Sequence, residues 1–463
     1  MICPSISPSS PICSQRYPLR RHHSKSPRKP FRITFFADPS LLTPLESHLF
    51  EKQGGEGGYL RPPAPVTTAL KPLQPLSFHP TPRTSFLNAL EARTFTRLLS
   101  LAAFVCLLFA TSALAQSNRK VIIDQDAAGP GGTDMQAILA LVNSPQTDVL
   151  GITVLTGDGW RDEEVAHTLR LMEIIGRTDI PVVPGAVFPL VSSKEYIAKW
   201  ETLYGKVVYQ GAWNFVRHGR PLHGPYEVLP RDFDEGMPTT KPLNETAAHF
   251  MVRMVHKYPH DVTIYAAGPM TDLAQAISLD PHFPELVKEL IVMGGSINPQ
   301  TDDPEFSLSP RREFNFWMDP EASHTVLHAH WPRFVLTTVD ISVKTRMEKS
   351  LIEEIAKSSA PSARYVAKYA EPNILWDELA AAAWLDPSII TKSEKLYMDV
   401  EVDHGASYGD TLAWAPGNQP DMGESLVEVQ QDLDKAKFYK EFVELMSRQT
   451  PQAHSPAAAG NSN

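Results

Sequence analysis

The sequence predicts an α/β fold, with one mainly parallel, open, Rossmann-like sheet that carries helices on both faces. First, short apolar runs alternate with helical patterns from residue 120 onwards, which is typical of βαβ units. Second, acidic residues or glycines come directly after these runs, as they do where open α/β sheets bind ligands. Third, the 463 residues are 42% hydrophobic, which is enough to bury one large core. The runs lie at 121–123, 149–156, 262–267, 289–293 and 333–339.

The chain before residue 117 differs from the rest. Residues 1–94 are rich in Pro, Ser and Arg without a sustained apolar period, which predicts disorder. Residues 95–116 contain an apolar stretch with a basic flank and an Ala-x-Ala end, which is typical of a secretory signal cleaved before Gln116. We therefore expect a secreted protein whose first 94 residues reflect a mis-assigned start or exon. The alternative is a single membrane span at 98–115, so a membrane partner is expected only if this stretch stays uncleaved.

Charge and cysteine content exclude several classes of function. Residues 1–116 carry a net charge of +8 and the remainder carries −18. Such an acidic body argues against nucleic acid as a partner. All three cysteines, Cys3, Cys13 and Cys106, precede the main domain. The domain predicted at 117–447 therefore has no disulfide, no thiol nucleophile and no cysteine-based zinc cluster.

The first apolar run and the residues after it predict a strand, a loop and a helix. Asp124 and Asp126 stand two residues apart at the strand's end and are expected on one side of it. Thr133 and Gln136 fit a capping box, so Thr133 is predicted as the N-cap and Asp134 falls in the first turn. Three converging carboxylates would need a cation, and oxygen ligands suit Ca²⁺ or Mg²⁺. Ordinary turn and helix-dipole chemistry is the alternative explanation for these acids.

The remaining elements are predicted from shorter patterns. Residues 160–176 predict a helix that ends at Gly176. Residues 187–243 are irregular and aromatic-rich, which predicts a lid or a wall for a ligand, although the aromatic residues could simply hold a loop on the body. The last elements are a hairpin turning at His404, an amphipathic helix at 432–447 and a disordered tail at 448–463.

Five segments in order resemble the inosine/uridine-preferring nucleoside hydrolase family. The segment from Asp124 to Asp134 resembles its opening motif, Asp-x-Asp-Pro-Gly-x-Asp-Asp, with a longer loop and with Thr133 in place of the first Asp of the pair. The other four are GPMTDLAQAI at 268–277, IVMGG at 291–295, Glu313-Phe314-Asn315 with Asp319-Pro320-Glu321-Ala322, and Trp376-Asp377.

The resemblance implies a nucleoside hydrolase-like fold and calcium-dependent hydrolysis of the N-glycosidic bond of ribonucleosides, which are small-molecule substrates. The Ca²⁺ ligands it implies are Asp126, Asp134, Asp377 and the backbone carbonyl of Ala267. Asp124 and Thr133 would support this cluster from just outside. The ribose-binding residues it implies are Glu313, Asn315 and Asn298. A homo-oligomer is left open.

The chemistry of the reaction fits this set of residues. Cleavage of ribose from a base develops positive charge on the sugar, which anionic groups below it stabilise. A divalent ion lowers the pKa of bound water, and Asp126 is our candidate general base. Trp376 stands where members that accept inosine and uridine usually carry His, and Asp158 stands where Asn is common. Both changes resemble the purine-preferring branch, in which Trp stacks on the base.

Two more residues are candidates near the base. Trp213 would supply a second stacking face, and His223 would donate a proton to the leaving base. For Trp376, a purely structural role without turnover is the alternative. We also keep two other functions open: a hydrolase of broad or pyrimidine preference, and a non-catalytic nucleoside- or ribose-binding protein, which Thr133 and the longer loop would favour.

Overall fold

The computed structural model describes residues 118–452, except 215, 218, 219 and 222. The predicted disordered segment at 1–94 and the signal-like segment at 95–116 lie outside the described residues, so both remain predictions. Most of the predicted tail lies outside them as well. Within the described part of the chain, no helix is both long and apolar enough to cross a lipid bilayer.

The described elements are labelled here in chain order. The strands are β1 (Arg119–Gln125), β2 (Thr147–Val154), β3 (Val182–Pro184), β4 (Val216–Arg217), β5 (Arg220–Pro221), β6 (Val262–Ala267), β7 (Glu289–Met293), β8 (Phe334–Thr337), β9 (Ile390–Val400), β10 (Thr411–Trp414) and β11 (Ser425–Leu433). The helices are α1 (Thr133–Asn143), α2 (Arg161–Ile175), α3 (Lys194–Tyr204), α4 (Ala247–Lys257), α5 (Thr271–Leu279), α6 (Phe283–Leu286), α7 (Pro304–Leu308), α8 (Phe314–Met318), α9 (Pro320–Leu327), α10 (Val339–Ser342), α11 (Lys349–Ile355), α12 (Pro361–Tyr369), α13 (Asp377–Leu385) and α14 (Lys435–Ser447).

Nine strands form one open sheet in the order β10-β9-β11-β8-β7-β6-β1-β2-β3. The strands from β11 to β3 run parallel, while β9 is antiparallel to both of its neighbours. The predicted mainly parallel open sheet is therefore confirmed. The chain places β2 and β3 on one side of β1 and β6 on the other, so the strand order reverses between β1 and β6. Open α/β sheets bind their ligands in the crevice at such a reversal.

Side chains of β1 alternate between two hydrophobic layers. Val121 and Ile123 belong to the layer built with α1, α13 and α14, whereas Ile122 belongs to the layer built with α4, α5 and α9. This alternation results from the two-residue period of a strand. Both faces of the sheet are therefore covered, as predicted.

The shorter predictions have mixed outcomes. Helix α2 ends as expected at Gly176, whose φ of 74° is the left-handed conformation that glycine adopts most readily. β9 and β10 pair antiparallel, as the predicted hairpin requires. The C-terminal helix begins at Lys435 rather than at residue 432, because residues up to Leu433 belong to β11. We did not predict β3 or β11, and the segment 187–243, predicted to be irregular, contains the unpredicted elements α3, β4 and β5.

Candidate active site

A cleft of about 330 Å³ opens at the carboxyl ends of β1, β6, β7 and β8. Seven acidic residues line it, and no lysine or arginine is among its lining residues in the described part of the chain. The lining residues are Asp126, Thr133, Asp134, Asp158, Tyr209, Ala267, Met293, Asp303, Glu305, Phe306, Glu313, Phe314, Asn315, Val339, Asn373, Trp376 and Asp377.

Asp126 lies just beyond β1, where two glycines let its carboxylate approach the backbone. A Cβ at Gly157 would lie 2.0 Å from Asp126 Oδ2, and one at Gly268 would lie 3.0 Å from Asp126 Oδ1. The amide of Asp158 donates a hydrogen bond of 3.2 Å to Oδ2. These glycines come after β2 and β6, so the sequence places glycine where this side chain needs space.

Asp134 and Asp377 begin two helices of the same layer, α1 and α13, and share one amide. Gln125 Nε2 donates to Asp377 Oδ2 at 2.6 Å and is 3.4 Å from Asp134 Oδ1. Gln125 Oε1 is buried and has no hydrogen-bond partner. Gln125 was not among the predicted site residues, although its position on β1, two residues after Ile123, directs its side chain to the face that carries both helices.

Thr133 does not cap α1 as predicted. The N-cap is Gly132, which makes no side-chain capping bond. The Thr133 hydroxyl instead donates to Glu378 and accepts a hydrogen bond of 3.3 Å from the amide of Asp377. Thr133 therefore joins the start of α1 to the start of α13, and its hydroxyl bonds to a distant segment instead of accepting from the amide of Gln136 as the capping box assumed.

The electrostatics of the cleft floor favour a cation. Burial raises the pKa of Asp126, Asp134 and Asp377 well above the ordinary value, and neighbouring acids raise each pKa further. The neighbour with the largest effect is Asp158 for Asp126, Asp377 for Asp134 and Glu378 for Asp377. Buried acids of this kind avoid mutual repulsion either by keeping protons or by binding a positive ion.

A hard divalent ion fits this donor set. The groups at the floor are carboxylate oxygens and the backbone at Ala267, and oxygen ligands are those that Ca²⁺ and Mg²⁺ prefer. The three acids do not each place an oxygen within 4.8 Å of the other two. Among the described residues, one other group of ligand-type side chains is that compact. Asp134 and Asp377 interact directly, because a hydrogen bond between their carboxyl groups affects the pKa of both, whereas the Asp126 carboxylate accepts from the amide of Asp158.

Glu313 and Asn315 form a rigid wall beside the floor. The Glu313 carboxylate accepts hydrogen bonds from the amides of Asn315 at 2.9 Å, Phe316 at 3.1 Å and Gly295 at 2.7 Å. Burial raises its pKa to about 7, and these backbone bonds oppose the rise. The Asn315 side chain donates to the carbonyl of Met293 at 3.1 Å, which leaves its own carbonyl oxygen as an acceptor.

Asp158 and Tyr209 form the opposite rim. Burial raises the pKa of Asp158 to about 6, whereas a hydrogen bond from Tyr209 lowers it. Tyr209 lies in the segment 187–243 that was predicted to be irregular, and it was not among the predicted site residues. Its position in the cleft was not predictable, because no periodic pattern there fixes the direction of a side chain.

The remaining wall is aromatic and acidic. The rings of Trp376 and Phe306 lie 5.6 Å apart at 59°. Glu305 precedes Phe306 on α7 and is half-buried, and burial raises its pKa to about 8, with further contributions from Glu313 and Asp303. This helix was not predicted from the sequence, although Asp303-Pro304 is a recognisable helix start.

Four predicted site residues lie outside the cleft lining. Trp213 is buried against Trp317, at 5.9 Å between ring centroids. Asn298 is exposed, and its amide donates to Asp340. His223 is buried behind Gly159 and pairs with Glu163 at 3.1 Å. The described cleft therefore gives no support to the predicted contacts of Trp213 and His223 with the base.

Asp124 is the fourth, and it points away from the cluster that it was expected to join. Its carboxylate accepts from the Thr153 hydroxyl at 2.6 Å and lies beside Asp272 of α5. Asp124 therefore faces the layer that contains Ile122, whereas Asp134 belongs to the opposite layer. We predicted that Asp124 and Asp126 would lie on the same side of the strand. This prediction does not hold, because Asp126 lies beyond the last strand residue, Gln125.

Comparisons with known proteins identify a family and a shared fold. The model of a family described as inosine-uridine preferring nucleoside hydrolase matches residues 121–440. The probable uridine nucleosidase 2 of Arabidopsis thaliana is 29% identical over 251 residues, which cover 54% of this chain and 68% of that protein. The pyrimidine-specific ribonucleoside hydrolase RihA of Citrobacter koseri is 26% identical over 335 residues, covering 69% and 95%. The solved structure of a plant nucleoside hydrolase, PpNRh1, has the same fold, with a TM-score of 0.57, 24% identity and coverage of 71% and 99%.

Proposed function

The chain belongs to the inosine-uridine preferring nucleoside hydrolase family, and from that membership we propose that it hydrolyses the N-glycosidic bond of a ribonucleoside to free base and ribose. The observation that carries this proposal is the convergence of Asp126, Asp134 and Asp377, from distant segments, on the floor of one cleft beside Glu313 and Asn315. A binding protein would need the walls of such a cleft but not a cluster of buried acids that disfavour one another's charge.

Members of this family generally use a metal ion, and we assign calcium to this chain. Asp126, Asp134, Asp377 and the carbonyl of Ala267 would hold it. When bound, the ion would neutralise the acids and make an attacking water easier to deprotonate. Gln125 positions the carboxylates of Asp134 and Asp377 through its two contacts.

Asp126 is the proposed general base. The amide of Asp158 holds Asp126 Oδ2, which leaves Oδ1 to accept a proton from water. The water oxygen forms a bond to C1′ of the ribose while the bond from C1′ to the base nitrogen breaks, and its electron pair leaves with the base. Glu313 and Asn315 are the proposed partners of the ribose hydroxyls, because backbone bonds fix both side chains.

Glu305 is the proposed proton donor to the leaving base. It lies in the cleft wall beside Phe306, and its raised pKa of about 8 keeps the carboxyl protonated at neutral pH. It takes the role that the sequence analysis gave to His223, which lies behind Gly159. After one turnover Glu305 is ionised and Asp126 is protonated, so exchange with solvent restores both.

Purine preference is the finer proposal, and it rests on the wall formed by Trp376 and Phe306. A flat indole face favours a larger base and a protonated base by roughly 0.5 to 2 kcal/mol. Pyrimidine preference is the second candidate, because two relatives are named for uridine and pyrimidine substrates. The two candidates differ only in the base, so one experiment separates them.

We expect the purified protein to release hypoxanthine from inosine roughly 2- to 30-fold faster than uracil from uridine, the ratio that corresponds to the stacking energy. Base release from inosine, adenosine, uridine and cytidine would be followed by chromatography, with and without a chelator. Activity should disappear with the chelator and return with added Ca²⁺. Faster release from uridine would favour the pyrimidine candidate. Saturable binding of every nucleoside without release would instead show a non-catalytic binding protein.

The metal-free protein should lose stability as pH rises. The raised pKa values mean that the folded state holds more protons than the unfolded state, so stability falls above about pH 4, the ordinary carboxyl range. The window extends through the pKa values of Asp158, about 6, Glu313, about 7, and Glu378, about 8. For each extra proton that the folded state holds, a rise of one pH unit lowers the free energy of unfolding by about 1.4 kcal/mol, which corresponds to roughly 2–4 °C in Tm.

Thermal unfolding of the chelated protein between pH 5 and 8, repeated with Ca²⁺, measures this effect. Calcium should raise Tm most at pH 8 and thereby reduce the slope, because the ion favours the ionised carboxylates. A Tm that does not change with pH in the chelated protein, or a calcium effect that is equal at all pH values, would contradict the proposed acidic floor.

A further inference from the structure

A second cluster of ligand-type side chains lies outside the cleft, between α9 and β9. His324 Nδ1 is 2.7 Å from Asp399 Oδ1, and His328 Nε2 is 3.0 Å from Asp399 Oδ2. Among the described residues, these three are the one His/Cys/Asp/Glu group whose ligand atoms all lie within 4.8 Å of one another. None of the three lines the cleft.

The spacing of the cluster is close to that of a metal site. His324 and His328 are four residues apart at the end of α9, so both rings project from one face, with centroids 4.1 Å apart. In a tetrahedral site with bonds of about 2.0–2.1 Å, neighbouring ligand atoms lie roughly 3.3 Å apart. The observed distances of 2.7 Å to Asp399 Oδ1 and 3.0 Å to Asp399 Oδ2 are shorter than this by roughly 0.3–0.6 Å, so a small expansion would admit an ion.

The charges around the cluster favour a cation. One carboxylate, Asp399, faces two imidazoles, and the amide of Val400 donates to it at 2.7 Å and fixes its direction. The carboxylates of Glu321 and Glu424 also interact electrostatically with His324 and His328 respectively. Two protonated imidazoles would repel each other across a short distance, whereas one divalent ion would bind both rings in their neutral form.

We propose that His324, His328 and Asp399 bind a divalent transition metal of the zinc class, with water completing the coordination. Two imidazoles and one carboxylate suit such an ion, whereas the all-oxygen floor of the cleft suits calcium. Because the ligands come from α9 and β9, the ion would tie a helix to the antiparallel edge of the sheet. The site is therefore structural, and its occupancy is independent of the hydrolytic reaction.

The test is a titration of the chelator-stripped full chain with Zn²⁺ alone, in excess Ca²⁺ so that the cleft is occupied. We expect about one equivalent of tightly bound Zn²⁺, and an affinity at least about 100-fold lower in His324→Ala and in Asp399→Asn. Co²⁺ in place of Zn²⁺ should give visible absorption bands that both variants lack. Nucleoside hydrolysis should be unchanged in His324→Ala.

His256→Ala is the matched control, because His256 pairs with Asp280 at 2.6 Å but belongs to no described group of three ligand-type residues whose ligand atoms lie within 4.8 Å of one another. It should bind Zn²⁺ as the parent does. Since the His324 side chain is 37% exposed, its replacement by Ala should leave the fold intact by circular dichroism. Equal Zn²⁺ affinity in the parent and in His324→Ala would overturn the proposal and leave the three residues as an ion-pair contact. So would equal losses in His324→Ala and His256→Ala.

Discussion

Asp126→Asn is expected to reduce kcat by about 10²- to 10⁴-fold, the usual contribution of a positioned general base. The substitution keeps the size of the side chain and can keep the hydrogen bond from the amide of Asp158, so the cleft retains its shape. The group lost is the carboxylate that accepts the proton of water. Single-turnover rates of base release from the preferred nucleoside, measured at saturating Ca²⁺, would give the loss directly.

Stability should change in the opposite direction, which separates this effect from misfolding. Burial raises the pKa of Asp126 most, and the nearby Asp158 carboxylate raises it further. The charge of the Asp126 carboxylate therefore disfavours the folded state when no cation is present. The metal-free Asp126→Asn protein should therefore have a Tm equal to or above that of the metal-free parent at pH 8. Asp403→Asn, on an exposed loop, is the matched control and should change neither activity nor Tm. An Asp126→Asn enzyme with near-parental kcat would exclude Asp126 as the base.

The fold was predictable where the pattern is local and repeated. Alternating apolar runs and helical patterns gave the parallel sheet and the helix α2, including its stop at Gly176. β11 escaped prediction because its partners, β8 and β9, are distant in sequence and its exposed face is polar. Strand pairing of this kind is decided by tertiary contacts rather than by local preference.

The site was predictable where a motif fixes both residue type and place. Asp126, Asp134 and Asp377 were chosen from the sequence, and the structure brings them to one cleft. Gln125 was missed because an amide between two acids carries no chemical signature of its own. The prediction that Asp124 and Asp126 share one side of the strand was wrong, because side chains alternate only as far as the last strand residue, Gln125, and the chain changes direction beyond it.

Thr133 departs from the family motif but contacts a proposed metal ligand. Its hydroxyl bridges Glu378 and the amide of Asp377, so it supports a proposed metal ligand from the side on which the motif usually has an acid. Glu378 has a pKa raised by burial to about 8, and the bond from Thr133 opposes that rise. An acidic side chain at position 133 would add another negative charge beside Glu378 and Asp377. The substitution therefore lowers the repulsion at the start of α13.

Glu305→Gln is expected to lower kcat on the preferred nucleoside by about 10²-fold or more, the lower range for a general acid. The amide fills the same volume beside Phe306 but cannot give up a proton to the base. In the parent, kcat should fall as pH rises through the pKa of Glu305, about 8, because the donor is then ionised. The variant should lack this decline. Its KM should change little, because the wall it belongs to is preserved.

A riboside with a good leaving group, 4-nitrophenyl β-ribofuranoside, separates proton donation from a structural role. Nitrophenolate departs without a proton, so Glu305→Gln should hydrolyse this compound at close to the parental rate, whereas Asp126→Asn should remain slow. Asp302→Asn, an exposed neighbour on the same loop, is the control and should behave as the parent on both substrates. If Glu305→Gln is equally slow on the nucleoside and on the nitrophenyl riboside, the carboxyl shapes the cleft rather than protonating the base. Such a result would leave the role of Asp126 unaffected, because the two side chains act on opposite ends of the breaking bond.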